Sequence, residues 1–198
     1  VTNSRNLRLS AGRTRPAIRV YREPMTVEDY LESRTISDLL CIYDCDVPVD
    51  GAMAVVISRA RPGAWPGAVR IEAIGTASGF QACAEIMWER SDLTPGDVDI
   101  AEVYDGFSIY AVRWLEALRL VPRNEAGRFL QGGQRIALDG ELPISTGGGQ
   151  LSGGRVHGYT ALLEACIQLR GLGGEGDGDA STDSSSRADH DRNRSRIA

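Results

Sequence analysis

The sequence predicts an α/β fold on three observations. Short apolar runs with the density of buried strands recur at DGAMAVVIS (50–58), AVRIEAIG (68–75) and VDIAEVY (98–104). Segments whose apolar residues return at helical spacing follow them, at residues 80–90, 107–121 and 159–171. Composition is that of a chain able to bury a core, with 42% apolar and 25% charged residues among 198 and a formal charge of -5. Strand alternating with helix argues for helices layered on a sheet rather than an all-helical bundle.

Taken in order, residues 1–20 are basic and punctuated by glycine and proline, which predicts a loop or ragged start. MTVEDYLESRTI then reads as a short helix, with Thr26 as cap, Glu28 and Asp29 in the first turn, and Val27, Tyr30 and Leu31 on one face. After Pro48 the apolar run 50–58 reads as a buried strand, Gly51 allowing close approach. RARPGAWPGA, with Pro62, Trp65 and Pro66, is the best internal boundary. It divides the chain into units 1–62 and 63–172, followed by a tail over 173–198.

In the second unit, Phe80, Cys83, Ala84, Met87 and Trp88 recur at helical spacing and read as core. A turn at Pro95 and Gly96 precedes VDIAEVY. FSIYAVRWLEALRLV is the strongest helix, with Phe107, Tyr110, Ala111, Trp114, Leu115 and Leu118 on its apolar face. Residues 122–146 read as irregular. YTALLEACIQLRG reads as a helix burying Leu162, Leu163, Cys166, Ile167 and Leu169, with Gly171 as its stop. The stretch 171–198 has one Leu and one Ile among acidic, serine and arginine residues; the tail is expected to be disordered, and His190 with it to be noncatalytic.

No apolar run reaches the length of a membrane span, and no apolar core follows the basic start as in a secretory signal. The cytoplasm is the expected compartment. Cys41, Cys45, Cys83 and Cys166 are too few and scattered for a disulfide framework, and CIYDC has neither redox nor zinc spacing. With two histidines, His157 and His190, no histidine-rich metal site is expected. An acidic chain whose early arginines lack interleaved aromatics carries no nucleic-acid footprint.

Two stretches can carry chemistry. In AEVYDGF, Asp105 is placed to cap the following helix and Gly106 to turn the chain, so Tyr104 stands at a strand's C-terminal end, where α/β folds bind ligands. On local sequence alone, a half-buried Tyr104 using its hydroxyl as a structural tether is the reading to prefer. GGGQLSGGRVHG, residues 147–158, lacks the lysine of a phosphate loop and the spacing of a dinucleotide fingerprint. Its glycines can bring amides close to an oxyanion or thioester oxygen, or serve only as a turn. His157 stands where this stretch meets the next helix.

AEVYDGFSIYAVRWLEAL followed by STGGGQLSGGRVHGYTALLEACIQLRG resembles the thiolase superfamily, specifically its sterol-carrier-protein-type thiolases and thiolase-like lipid-transfer proteins. CDVPVDGAMAVVIS is similar to the end of that family's N-terminal half, and TVEDYLESRTI to the helix before it; the resemblance covers roughly residues 15–172. It implies a partial thiolase-like fold, an incomplete C-terminal half with a mixed sheet packed by helices. Against the family's HDCF, Tyr104 stands where its active-site histidine or asparagine stands and Gly106 replaces the cysteine, and Arg155 aligns with the histidine of GHPxG.

The GQLSGGRVHG pattern resembles instead a thiolase-like subgroup that includes steroid side-chain retro-aldolases, which cleave β-hydroxyacyl-CoA without the thiolase cysteine. By this resemblance Tyr104 and His157 are the candidate catalytic residues, and Gly147, Gly148, Gly149, Gly153 and Gly154 shape a thioester pocket. Tyr104 would move a proton; with a reference pKa of about 10 it needs a network or a lowered pKa to act as base.

A CoA thioester is implied as substrate, with no tightly bound cofactor. Implied partners are an acyl-CoA or steroid-CoA, a homo- or hetero-oligomer, or a complementary acyl-CoA-binding protein. The family's nucleophile region would precede residue 1 and its last strands would follow QLRG, so the chain is expected to be truncated and inactive alone. The other reading is a noncatalytic acyl-lipid-binding or partner-binding remnant.

Overall fold

The computed structural model describes residues 21, 25–59, 66–173 and 197. The expected ragged start, the boundary at 62/63 with Trp65, and nearly all of the tail, His190 included, lie outside the described residues.

Thr26 opens α1 (Val27–Leu31) with a capping box. Its hydroxyl accepts the Asp29 amide at 3.1 Å and its own amide donates to Asp29 Oδ2 at 2.8 Å. A small antiparallel hairpin follows, β1 (Thr35–Ser37) and β2 (Leu40–Cys41), and then a 3₁₀ turn over Ile42–Asp44. The buried Asp44 carboxylate accepts the Tyr30 hydroxyl at 2.6 Å, the Ser108 hydroxyl at 2.6 Å and the Cys41 amide at 2.9 Å. One side chain thus joins α1, the hairpin and the helix that begins at Ser108. Burial pushes this carboxyl up, but the hydrogen bonds from Ser108, Tyr30 and Cys41 outweigh it and hold it below the ordinary Asp range.

The core forms where α2 (Phe80–Glu89) packs on α3 (Ser108–Ala117). Trp88 Nε1 donates to the Leu118 carbonyl at 3.1 Å, and Phe80 meets Trp114 edge-on with centroids 4.7 Å apart. Ala111 and Leu115 face inward onto Ala101, Val103 and Ile144. Ala101 and Ile144 pair in parallel, the Ser145 amide donating to the Ala101 carbonyl at 2.9 Å. Residues 122–146 are more ordered than expected: α4 (Ala126–Leu130) and a 3₁₀ turn over Gln134–Ile136 bring Phe129, Leu130 and Ile136 to the same core. The chain then forms α5 (Gly149–Gly153) and α6 (Tyr159–Leu169). The fold is mixed α/β with an open sheet, as expected of a partial thiolase-like domain.

Two expectations are corrected. The runs 50–58 and 68–75 form no strand, and VDIAEVY pairs only through Ile100, with Ile197, and Ala101. A strand needs a neighbour for its ladder, and the described residues supply none for the first two runs. Val56 and Ile57 are 93% and 74% exposed. On α6, Leu162, Leu163 and Leu169 lie at the surface while Ile167 and the carboxylate Glu164 are buried. Helical spacing identifies faces, and here the leucine-rich face is the outer one.

Asp44→Ala strands two hydroxyls and an amide, and should cost about 2–3 kcal/mol in urea unfolding near neutral pH. Because the native pKa of Asp44 is depressed, its contribution is present above the ordinary Asp value of about 3.9 and is lost as pH falls through the native value. The gap between wild type and variant should therefore close in acid.

Candidate functional site

The segment Cys45–Val49, read in the sequence only through its family likeness, straps the two motifs together. Cys45 pairs with Phe107, and the Asp46 amide donates to the Gly106 carbonyl at 3.1 Å. The Val47 amide donates to the Gln150 carbonyl at 3.2 Å, and the Arg155 amide returns to the Val47 carbonyl at 2.7 Å. The Arg155 guanidinium also lies 3.6 Å from Asp46 Oδ2.

Asp105 is a cap, but of a different helix from the one expected. At α3 the capping position falls to Phe107, with no side-chain cap. Asp105 instead accepts the Gln150 amide at 2.8 Å, and the Leu151 amide also bonds it, at the start of α5. Its contact with Gly149 leaves no room for a side chain: φ is +57° there, and a Cβ would overlap Asp105 Oδ2. Burial pushes the Asp105 carboxyl up to about 7, against the backbone hydrogen bonds that lower it.

Tyr104 sits between the two motifs. Its ring and hydroxyl lie under Gly106, where an added Cβ would come within 2.7 Å of Cε1, and its other edge faces Gly158 at 3.6 Å from such an atom. The ring also packs at 6.3 Å from Tyr110, which contacts Phe107 and Phe80 at 5.5 Å each. His157 is the residue before Gly158; it is exposed, has left-handed backbone with φ 45°, and shares no hydrogen bond with Tyr104. Non-glycine residues adopt that conformation at a cost, with histidine among the more tolerant.

Beside this lies a cavity of about 530 Å³. Of the glycines singled out in the sequence, Gly147, Gly149 and Gly153 line it, whereas Gly148 and Gly154 flank α5 as its caps. Tyr104 and His157 are not among the lining residues. Glu102, Asp105, Gln150, Thr160 and Glu164 are, and sequence reading assigned none of these five to a pocket. Asp105 Oδ2, both polar atoms of the Gln150 amide and Thr160 Oγ1 are buried without hydrogen-bond partners. A signal for Glu164 existed: it shares a face with Thr160, Ile167 and Gln168 on α6, and a carboxylate on a buried face needs a partner elsewhere. Among the described residues no group of three or more His, Cys, Asp and Glu side chains could hold a metal ion, and no helix is long and apolar enough to cross a membrane.

A family model described as thiolase C-terminal domain-like matches residues 69–182. The chain is 31% identical over 180 residues to the 17-hydroxy-3-oxo-4-pregnene-20-carboxyl-CoA lyase of Mycobacterium tuberculosis, covering 79% of this chain and 46% of that protein. It is 32% identical over 171 residues to an acetyl-CoA acetyltransferase of Methanothermobacter thermautotrophicus, covering 76% of this chain and 44% of the other. A solved Ltp2-ChsH2(DUF35) aldolase superposes with a TM-score of 0.68 at 25% identity, over 87% of this chain and 50% of that one. The chain thus spans about half the length of these relatives.

Gly149→Ala places a Cβ on the Asp105 carboxylate in left-handed backbone and should destabilise the protein by at least about 1–2 kcal/mol, read by denaturant unfolding. Asp105→Asn keeps an acceptor for the Gln150 amide and removes a titration. A native pKa of about 7 lies above the ordinary 3.8, so the contribution of Asp105 is full below about 3.8 and is lost as pH rises through about 7. The variant's unfolding midpoint should gain on wild type across that window.

Proposed function

The chain belongs to the thiolase superfamily through its C-terminal-domain-like unit, and from that premise we propose that it takes part in processing a CoA thioester, with retro-aldol cleavage of a β-hydroxyacyl-CoA as the reaction. The observation that carries this reading is the placement of Tyr104 against Gly106 and Gly158, next to a glycine loop fastened by Asp105. The steroid-CoA lyase among the relatives makes a steroid-CoA the first substrate to try.

In such a cleavage the β-hydroxyl loses its proton, the Cα–Cβ bond breaks, and its electron pair moves onto the thioester as an enolate. Protonation at Cα then releases a shorter acyl-CoA and a carbonyl compound. Tyr104 is the residue assigned to proton exchange with the substrate. Loop amides are assigned to the thioester oxygen, where donors fixed before reaction stabilise the developing charge without reorganising. His157, exposed beside Gly158, is assigned a secondary relay. A thiolase-type acyl transfer is the less favoured chemistry, because Gly106 stands where the family pattern carries cysteine.

A second reading, a noncatalytic module that binds an acyl-lipid or a partner chain, is favoured by the exposed run Val55, Val56 and Ile57. The two readings are compatible if a partner completes the catalytic unit, and the solved neighbour is named for two components.

Purified protein, alone and with candidate partner chains, should be incubated with a β-hydroxyacyl-CoA while acyl-CoA and carbonyl products are followed. Tyr104→Phe should lower turnover by about 10²–10⁴-fold, the usual contribution of a proton-transfer group, with the fold retained. An unchanged rate removes Tyr104 from the mechanism, and saturable binding without turnover under any condition favours the binding module.

A further inference from the structure

Three polar side chains converge on the hydroxyl of Thr146. Its Oγ1 lies 2.7 Å from Glu102 Oε1, 3.0 Å from Glu164 Oε1 and 3.1 Å from Gln168 Nε2. The Gln168 amide also donates to Glu164 Oε1 at 2.9 Å, and the Thr146 amide to Glu102 Oε1 at 2.9 Å. Gln168 brings its own hydrogens to both its contacts. The two contacts from the hydroxyl to carboxylate oxygens need two hydrogens, and the hydroxyl has one. With both carboxylates ionised, one of these contacts would set oxygen against oxygen with no hydrogen between them. Only a carboxyl can supply the missing hydrogen.

We propose that Glu102 and Glu164 hold one proton between them across Thr146, and that this bridge positions the glycine loop. Thr146 is the residue before the loop, Glu102 lies two residues before Tyr104, and Glu164 sits on α6. The bridge therefore links the three elements that set the loop's place. Gly147 belongs to it sterically, since a Cβ there would lie 2.9 Å from Glu164 Oε2.

The groups facing Glu102 are Asp105 from its own segment, Thr146 from the loop and Glu164 from α6, to which Gln168 donates; among the described residues no Lys, Arg or His lines this cavity. Burial pushes Glu102 up to about 8, and the charges of Glu164 and Asp105 add to it, while the hydrogen bonds from Thr146 oppose it. A proton, not a counter-ion, neutralises the pair. The same cavity wall holds the unpartnered Gln150 amide and Asp105 Oδ2, 2% and 1% exposed as residues, so the positioned loop borders polar groups available to a ligand. That the ligand is a thioester rests on the function proposed above; the shared proton does not.

The test compares the full chain with Glu102→Gln and Glu164→Gln by infrared spectroscopy and thermal unfolding between about pH 5 and pH 9. Each glutamine removes one titrating carboxyl from the bridge while keeping an oxygen that can accept from the Thr146 or Gln168 amide. At about pH 8, above the Asp105 titration, wild type should show a protonated-carboxyl band that Glu102→Gln lacks and that Glu164→Gln weakens by removing the charge that helps raise Glu102. A native pKa above the ordinary one makes the contribution of Glu102 full below the ordinary Glu value and lost as pH rises through about 8. Glu102→Gln should therefore match or fall below the wild-type midpoint at about pH 5 and exceed it at about pH 9. If that variant does not fold, Glu164→Gln provides both readouts. A band unchanged by either substitution, or a midpoint difference constant with pH, overturns the proposal. Neither readout uses turnover, so failure here leaves the role of Tyr104 standing, and absence of turnover leaves the shared proton standing.

Discussion

One hydrogen bond, from the Gln150 amide to Asp105 Oδ1 at 2.8 Å, spans 45 residues of sequence and joins the two motifs that make the site. Asp105 lies between Tyr104 and Gly106, so fixing its carboxylate fixes where the tyrosine stands relative to the glycine loop. The close approach excludes any side chain at Gly149 and sets the start of α5. The strap Cys45–Val49 then bonds to both motifs from outside, through Asp46 to Gly106 and through Val47 to Gln150 and Arg155. Charge buried at this depth is costly, and the native carboxyl carries that cost in its raised pKa.

The helices were legible in the sequence because their signal is local. The Thr26 capping box and the spacing of Ala111 and Leu115 involve residues three or four apart, and α1 and α3 form where that spacing places them. The strands were not legible, since an apolar run such as Val55–Ile57 says nothing of whether a neighbour exists to receive its hydrogen bonds. Asp105 was legible as a capping side chain but not as the cap of α5, because the choice between two helix starts is made by tertiary structure. Glu102 was invisible for a related reason, being an ordinary charged residue until the fold brings it to Thr146, and the helical face that marks Glu164 as buried does not name its partner.

The site's chemistry follows from its unequal distribution of polar groups. Tyr104 occupies an aromatic neighbourhood with Tyr110 and Phe107, which in the proposed function would face the apolar body of the substrate. The adjoining cavity is lined by Asp50, Glu102, Asp105 and Glu164, a surface that disfavours anionic groups. In the proposed function, the phosphates of a CoA thioester therefore stay outside this cavity while its thioester end meets the loop. Membership of the thiolase superfamily and the steroid-CoA lyase among the relatives support the same direction of reading.

The most direct measurement of whether the loop held by Asp105 receives a thioester is amide hydrogen exchange of the full chain with and without a β-hydroxyacyl-CoA. The account predicts slower exchange on binding at the amides of residues 147–151 and 156–159 and in the segment carrying Tyr104, with wild-type exchange across α2. Saturable binding that leaves those amides unchanged, or protects only the exposed run 53–58, would contradict it.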